Sequence, residues 1–168
     1  ISVVHGLLQT PEYAGAVLRE MFPRHGPDQI DRLVDLRIER QRRLADDPPL
    51  ELWAILDEAV IRRPVGGSPV MRGQLEQLLD RAATPAVTLQ VLPFACGAHA
   101  GHTGPFSILE FPNRSDSEVA YVESVAGNLY LEKDREVRTR VDAFDRLRAA
   151  ALAPAASADL IAQAAHEL

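Results

Sequence analysis

The chain alternates most regularly between hydrophobic and polar residues near its middle. In Val87–Leu92 every second side chain falls on one aliphatic face, which is the period expected of a β-strand. Residues 106–111 are apolar on both faces apart from Ser107 and Glu110, so this strand, like the first, is expected to be half buried or fully buried in a sheet. Residues 50–56 form a third apolar run around the single tryptophan, Trp53, and predict another buried strand. A glycine-rich loop joins the first two of these strands.

The segments after this loop predict an antiparallel meander. Residues 119–123 alternate between apolar and polar, and residues 129–132 form a short apolar run. Turn-forming residues at 112–117 and 126–128 separate these segments from each other and from 106–111. Because such short connections favour antiparallel neighbours, the three strands are expected to pair in chain order.

Helical periodicity accounts for most of the remaining chain. The pairs Thr10-Pro11 and Ser68-Pro69 each combine a polar N-cap with a proline suited to the first turn of a helix. Further helices are predicted from residue 27 to the break at 46–49, over 133–151 and over 157–168. The first helix is expected to turn five residues inward: Tyr13, Ala14, Val17, Leu18 and Met21.

These elements together predict an α+β fold. The expected architecture is a mostly antiparallel sheet of about five strands, covered by helices from the N-terminal and C-terminal ends of the chain. The length of 168 residues suits a single domain with a substantial core, so residues 1–168 are assigned to one regulatory domain.

Composition restricts the class of function more than it restricts the fold. A formal net charge of −6 disfavours a general binder of nucleic acid or of an anionic membrane. A single cysteine excludes an internal disulfide and suits a reducing compartment. No apolar run approaches the ~20 residues that span a bilayer, and no signal peptide is visible. A cytoplasmic protein without a membrane partner is therefore expected.

The loop at 94–105 carries the candidate chemistry. It interleaves Cys96, His99 and His102 with glycines. Thiolate and imidazole suit zinc, but one loop offers three ligands without an obvious fourth, so this is a weak candidate metal site and no metal or cofactor is predicted. A second interpretation is a buried cysteine with two polar loop histidines. A third is that His99 or His102 lines a small-molecule pocket. The candidate ligand-binding residues are Phe94, His99, His102, Phe106, Trp53, Arg62 and Glu123.

Two other groups of polar residues have alternative interpretations. Asp57 and Glu58 could act as a general acid and base, or could begin a helix with nearby arginines as partners. The arginines of the second predicted helix could bind phosphate, or form a solvated face with pairs such as Glu39 with Arg43. The structural interpretation is favoured in both cases. No nucleophile lies near Asp57 and Glu58 in sequence, and acidic residues near the arginines reduce their positive potential. No catalytic residue is predicted.

Several segments resemble one protein family, in the right order along nearly the whole chain. They include HGLLQTPEYA, LDEAVIRRPVGG, VMRGQLEQLL, VTLQVLPF, GHTGPFSILEF and FDRLRAAAL. The sequence resembles the C-terminal domain of actinobacterial helix-turn-helix transcriptional regulators of the XRE type, which include antitoxin-like regulators. It departs from its relatives at His5, where they usually have a proline, and at His102, where they tend to have an aliphatic residue.

The resemblance implies a regulatory role. A helix-turn-helix domain would precede this chain and would make the contacts with DNA. The present domain would bind a small-molecule effector, bind a small companion protein, form a homodimer, or combine these roles. An effector or partner bound near 94–105 would favour one dimer geometry and so change the spacing of the DNA-binding heads.

Two rival interpretations stay open. The first is an enzyme or a stand-alone small-molecule binder derived from this domain, with a pocket around 94–105 and the acids Asp57 and Glu58. The lack of a recognisable nucleophile makes an enzyme the less favoured possibility. The second is a pure dimerisation module, which predicts a large apolar surface on the last two helices.

Overall fold

The computed structural model describes residues 3–113, 117–124 and 127–168. The chain forms two compact units, a larger one from residues 3–94 and Leu152–Leu168 and a smaller one from Ala95–Ala151. The described helices are α1 (Pro11–Met21), α2 (Pro27–Arg40), α3 (Glu58–Arg62), α4 (Ser68–Ala82), α5 (Asp134–Ala150) and α6 (Pro154–His166). The described strands are β1 (Leu52–Asp57), β2 (Val87–Leu92), β3 (Phe106–Leu109), β4 (Val119–Ser124) and β5 (Gly127–Leu131).

The larger unit is built around two parallel strands. β1 pairs with β2 in a register that places Leu52 opposite Val87 and Asp57 opposite Leu92. Parallel neighbours need a long crossover, which α3 and α4 supply. Apolar side chains from both strands and from the surrounding helices form one core: Val4, Leu8, Tyr13, Val17, Leu44, Ala54, Leu56, Val60, Ile61, Met71, Leu75, Leu78, Val87, Leu89, Val91, Ile161 and Ala164.

The first helix begins as its sequence predicts. The hydroxyl of Thr10 accepts a hydrogen bond from the backbone N–H of Tyr13 at 3.2 Å, and Pro11 occupies the first turn. Four of the five residues predicted to face inward are buried. The prediction is wrong for Met21, which is 59% exposed because it is the last residue of α1, where the helix runs out beyond the core.

The outer edge of β2 is closed by the segment that leads into α6. The backbone N–H of Leu152 donates to the carbonyl of Val91 at 2.9 Å. The hydroxyl of Ser157, which is fully buried, accepts from the N–H of Val91 at 2.9 Å. The side chain of Gln90 donates to the carbonyl of Leu152 at 2.8 Å. These bonds satisfy strand groups that a third strand would otherwise pair with.

The smaller unit combines a three-stranded antiparallel sheet with α5. β4 lies in the middle and pairs with β3 and β5. The face that carries Phe106 and Ala120 lies towards α5, since Ala120 is fully buried and the guanidinium of Arg140 lies 5.7 Å from the centre of the Phe106 ring. The predicted meander is confirmed, although β3 ends at Leu109 and not at residue 111.

The prediction of one sheet of about five strands is wrong. The strands form a parallel pair and a separate antiparallel sheet of three, although the α+β class itself is confirmed. The sequence locates strands through their periodicity, but that periodicity carries no information on which strands pair across long connections. The predicted turns at 112–117 and 126–128 lie partly outside the described residues.

The strand around Trp53 is present but only half buried. β1 spans Leu52–Asp57, and its side chains are buried on one face alone. Trp53 itself is 43% exposed, because it lies on the other face of this strand. The expectation of a fully buried strand is therefore wrong.

None of the helices in the described parts of the chain is both long enough and apolar enough to cross a membrane.

Candidate functional site

A short helical turn organises the histidines of the 94–105 loop. His99 caps the 3-10 helix Ala100–Thr103, and its Nδ1 accepts from the backbone N–H of Gly101 at 3.1 Å. The rings of His99 and His102 meet edge to face, with their centroids 4.1 Å apart. Because Nδ1 of His99 is an acceptor, its neutral ring carries the proton on Nε2. The loop therefore brings the two predicted histidines together.

Gly101 lies close to the capping histidine of this loop and to α5. A Cβ added at Gly101 would lie 3.1 Å from Nδ1 of His99 and 3.5 Å from Cδ2 of Leu147 in α5. A side chain there would be tight against the ring of His99 and in ordinary van der Waals contact with Leu147. The loop is thus packed closely on α5.

The histidines do not complete a metal site. Among the residues that the structure describes, no three histidine, cysteine, aspartate or glutamate side chains are grouped as ligands of one ion. The capping bond to Gly101 already uses Nδ1 of His99. Cys96, His99 and His102 thus remain three loop residues without the geometry of a ligand set.

Arg140 of α5 connects this loop with the sheet. Its guanidinium stacks over Phe106 at 5.7 Å, within the range of a cation–π interaction. Its Nη1 lies 3.5 Å from the hydroxyl oxygen of Thr103. One basic side chain therefore contacts both the end of the loop and the start of β3. Sequence reasoning missed it because four other arginines on the same helix share its chemistry.

Glu123 lies away from the histidines, on the sheet. Its Oε1 accepts from the hydroxyl of Tyr121 at 3.2 Å. The rings of Tyr121 and Tyr130 lie 5.0 Å apart across the β4–β5 pair, where they stand directly opposite each other. Glu123 thus belongs to an aromatic group on the sheet and not to the loop.

Three predicted site residues belong to the larger unit, and Glu58 joins two of them. Its Oε1 accepts from Nε of Arg62 at 3.3 Å, and its Oε2 accepts from the backbone N–H of Phe94 at 2.8 Å. Arg62 also pairs with Glu167 near the C-terminus. The ring of Phe94 is 61% exposed. Glu58 therefore fixes the backbone at the start of the loop while the phenylalanine side chain stays accessible.

The carboxylates Asp57 and Glu58 have structural partners. Asp57 caps α3 by accepting from the backbone N–H of Ala59 at 2.8 Å. Glu58 is occupied by Arg62 and by a backbone N–H, as described above. The interpretation of this pair as a helix start with an arginine partner agrees with these bonds.

Trp53 is oriented by a glutamine. Its Nε1 donates to Oε1 of Gln90 at 2.8 Å across the β1–β2 pair.

The seven candidate ligand-binding residues are divided between the two units. The larger unit contains Trp53, Arg62 and Phe94. The other four candidates, which are His99, His102, Phe106 and Glu123, lie in the smaller unit.

Two arginines of the turn after α2 lie in local ion pairs. Arg42 lies 3.8 Å from Glu39, and Arg43 lies 2.7 Å from Asp46. The suggested pair of Glu39 with Arg43 is replaced by these two contacts. Both pairs are well exposed, so each contributes little to stability. This surface has the character of a solvated helix face.

Buried glutamines, which sequence reasoning did not single out, fix the lead-in segment formed by residues 3–10. The side chain of Gln74, fully buried in α4, accepts from the N–H of Thr10 and donates to the carbonyl of Leu8, both at 2.8 Å. Gln77 donates to the same carbonyl at 3.1 Å. Helix α4 thereby pairs with two backbone groups of the lead-in segment.

Two further glutamines, Gln41 and Gln9, also bind this segment. We call these side-chain bonds to residues 3–10 the clamp. Gln41 donates to the carbonyl of Gly6 at 3.0 Å and to that of Gln9 at 2.7 Å. Gln9 donates to the carbonyl of Val4 at 2.7 Å and accepts from Arg37 of α2 at 2.7 Å. In the described part of the chain, no buried side-chain nitrogen or oxygen lacks a partner. A glutamine within an apolar helical stripe, as at Gln74, is the only sequence signal of this arrangement.

Two shallow surface depressions lie elsewhere. One, of about 420 Å³, is formed by polar residues of α5: Asp134, Arg135, Arg138, Thr139 and Asp142. The other, of about 380 Å³, lies between α1 and α2 and is lined by Pro11, Val34, Asp35, Ile38, Glu39 and Arg42. Neither contains a predicted site residue.

Comparison with known proteins places the chain in a family. No curated protein and no solved structure matches it significantly. The profile of the domain of unknown function DUF5753 matches residues 1–163, which is nearly the whole chain. This chain belongs to the DUF5753 family.

Proposed function

We propose that this chain is the regulatory domain of a DNA-binding transcriptional regulator in the cytoplasm. It binds a small-molecule effector or a small partner protein, forms a homodimer, or does both. Its near-complete resemblance to the C-terminal domain of XRE-type regulators supports this role, and its membership in DUF5753 is consistent with it. DNA is bound through a helix-turn-helix domain upstream of this chain.

The clamp on the lead-in segment is the observation that carries this proposal. Buried glutamine side chains from α4, from the turn after α2 and from the segment itself bind backbone groups between Val4 and Thr10. A segment held in this way moves with the core and not independently of it. A domain that passes a signal to a preceding DNA-binding domain needs such a rigid connection, because a flexible linker would not keep the two domains in a fixed relative orientation.

The mechanism is thermodynamic linkage. An effector or partner that binds one dimer geometry more tightly shifts the population towards it. The rigid lead-in segment then carries that change to the DNA-binding heads, whose spacing sets the match to two half-sites. We place the binding surface around residues 94–105, because Phe94 is exposed there on a backbone fixed by Glu58.

The regulatory role is tested with the full reading frame that encodes this chain. Binding of its product to labelled DNA from the region upstream of its own gene is measured by fluorescence anisotropy. We expect a Kd of about 10⁻⁸–10⁻¹¹ M at physiological salt, and at least a thousandfold weaker binding to an unrelated fragment of equal length. Equal affinity for both fragments, or a reading frame without an upstream DNA-binding domain, contradicts the proposal.

The placement of the binding surface is tested separately. Native mass spectrometry of the purified chain reports subunit number and any bound effector together. We expect His99→Ala and Phe94→Ala to weaken effector or partner binding at least tenfold. His25→Ala and Phe22→Ala are matched controls, since they remove the same two kinds of side chain outside residues 94–105. If both pairs of variants bind alike, residues 94–105 are not the binding surface.

A further inference from the structure

The sheet of the smaller unit has two chemically different faces. Alternation along the strands places Phe106 and Ala120 on the face covered by α5. The opposite face carries Leu109, which pairs with Val119, and Tyr121, which pairs with Tyr130. We call this second surface the tyrosine face.

The tyrosine face exposes large apolar side chains. Tyr130 is 64% exposed and Leu109 is 41% exposed. Phe111, two residues beyond the end of β3, is 47% exposed. Single exposed apolar residues are ordinary, but several on one short sheet mark a surface that binds another molecule. Tyrosine is also among the residues that most often dominate binding energy at protein interfaces.

The charged side chains at the described positions of the tyrosine face are acidic. Glu123 lies on it beside Tyr121, whose hydroxyl is bonded to its carboxylate. Glu132 follows β5 on the same side by alternation, and it is exposed. The described positions of this face carry no lysine or arginine. A ligand that covers the face therefore gains most if it brings positive charge to two carboxylates and two aromatic rings.

We infer that the tyrosine face is a docking surface for a basic segment of a partner protein that also carries apolar side chains. The apolar side chains pack on Leu109 and Tyr130, while lysine or arginine side chains pair with Glu123 and Glu132 and lie over the tyrosine rings. This inference adds a second contact surface for the partner, besides the one placed around residues 94–105, and rests on the proposed function.

Charge disfavours a second copy of this chain as the occupant. Two tyrosine faces packed together would bring four carboxylates into one apolar interface without a cation from either face. Burying such charges in an apolar interface without cations to pair with them is strongly unfavourable. The homodimer of the proposed function therefore uses another surface.

The test uses three labelled synthetic peptides of equal length and the complete chain. The first alternates lysine with leucine and tyrosine, the second replaces every lysine by glutamate, and the third replaces every apolar residue by serine. Fluorescence anisotropy gives their affinities at low and high salt. We expect the first peptide to bind at least tenfold more tightly than either of the others, and more weakly as salt rises.

Variants locate the binding surface. We expect Leu109→Ser with Tyr130→Ser to weaken the first peptide at least tenfold, and Glu123→Gln with Glu132→Gln to weaken it severalfold. The matched control is Asp31→Asn with Asp35→Asn on α2, which removes the same charge from exposed positions and leaves the affinity unchanged. Circular dichroism checks that each variant remains folded.

Several outcomes overturn the inference. They are equal binding of the lysine and glutamate peptides, equal losses in the acidic variants and their control, and full binding by the Leu109→Ser and Tyr130→Ser double variant. A wild-type dimer that this double variant converts to monomer shows that a second copy occupies the face. If the first peptide binds the tyrosine face but the full-length protein does not bind DNA, the regulatory role is contradicted and the docking surface is not. If the full-length protein binds DNA but the peptide does not bind the face, the docking surface is contradicted and the regulatory role is not.

Discussion

At the scale of single residues, the buried glutamines explain how an apolar lead-in segment can stay in place without regular secondary structure along its whole length. Its backbone groups are removed from water and must find partners inside the protein. A glutamine amide offers a donor and an acceptor on one flexible stem, so Gln74 can serve a carbonyl and an N–H that lie two residues apart. The lead-in is thus held by side chains in place of a neighbouring strand.

Replacing Gln74 by leucine should destabilise the protein strongly. The change leaves the N–H of Thr10 buried without a partner, whereas the carbonyl of Leu8 keeps its bond from Gln77. We expect the free energy of unfolding in urea to fall by about 1–3 kcal/mol. The control Gln77→Leu removes a bond whose acceptor stays paired, and should cost less than about 1 kcal/mol. Equal losses would argue against the clamp.

Tyr13 should make stability depend on pH in the alkaline range. Burial raises its pKa above the ordinary value of 10.0, and a hydrogen bond from the N–H of Val4 and the charge of Arg63 oppose that rise less strongly. The folded state therefore favours the neutral phenol. The stability that the neutral Tyr13 contributes is fully present below pH 10. It is lost as the pH rises through the pKa of Tyr13 in the folded state.

The measurement is the melting temperature of wild type and Tyr13→Phe between pH 8 and pH 11. At pH 8 the variant should be less stable by about 1 kcal/mol, because the N–H of Val4 loses its acceptor. The two proteins should converge above pH 10. Tyr130→Phe removes an exposed hydroxyl and should not show this convergence. A constant difference across the range would contradict the role assigned to Tyr13.

Some of these residue roles follow from sequence and others do not. Thr10 and Tyr13 were predictable, because a cap before proline and an apolar helical stripe are local patterns. The burial of Gln74 depends on a segment more than sixty residues away. Trp53 and Met21 were placed too deep, since hydrophobicity reports a tendency to be buried and not the position of the surface.

At the scale of elements, the turn before α4 sets where that helix begins. Gly66 has φ +73° and Gly67 has φ +87°, both in the region that favours glycine. A Cβ at Gly66 would also lie 2.9 Å from Cγ1 of Val70 and 3.2 Å from Cβ of Ala16. At Gly67 it would meet only the ring of Pro69, at 3.9 Å. An alanine at Gly66 would therefore meet both an unfavourable backbone conformation and a steric clash.

The two glycines should therefore respond differently to alanine. We expect Gly67→Ala to cost about 1 kcal/mol from backbone strain. Gly66→Ala should cost about 2–4 kcal/mol, because overpacking is added to the same strain. Urea unfolding of both variants against wild type measures the difference. A larger loss at Gly67 would show that the collision at Gly66 relaxes without cost.

Elements with local signals were predictable, and their pairing was only partly so. The bounds of β2 were predicted correctly, and the meander β3–β4–β5 followed from short connections. The parallel pair β1–β2 lies across a crossover of about thirty residues, over which sequence gives no register. Closure of the β2 edge by Leu152 and Ser157 is equally non-local, and it explains why no further strand joins β2.

At the scale of the whole molecule, the two units differ in how much apolar surface they bury. Core side chains from both strands and several helices meet in the larger unit. The buried apolar residues described for the smaller unit are few and mostly small: Ala120, Val137, Ala143 and Leu147. The smaller unit should therefore open at a lower free energy than the larger one.

Hydrogen exchange followed by mass spectrometry tests this difference. Amides of β1, β2 and α4 should exchange most slowly, and those of β3, β4 and β5 should exchange at least tenfold faster. The physical reason is the smaller number of apolar contacts that must break to expose the three-stranded sheet. Equal protection of both sets of strands would show that the two units unfold together.

The candidate site was predictable only in its local parts. Sequence identified the histidines and Phe94 through their place in a long glycine-rich loop, and His99 and His102 do meet there. The roles of Glu58 and Arg140 depend on contacts with distant segments, so periodicity and motif spacing could not reveal them. The tyrosine face escaped notice for a different reason, since alternating apolar residues in a strand look the same whether a helix covers them or not.

The bonds at the edge of β2 have a consequence for how this protein can change over evolutionary time. The chain leaves the larger unit just after β2 and returns to it at Leu152, which is bonded to Val91 of the same strand. The positions where the chain leaves and re-enters the larger unit therefore lie close together within that unit. Residues between these ends can lengthen, shorten or be exchanged without altering the host fold. A lineage that acquires a new partner can remodel this insert while the larger unit is inherited unchanged.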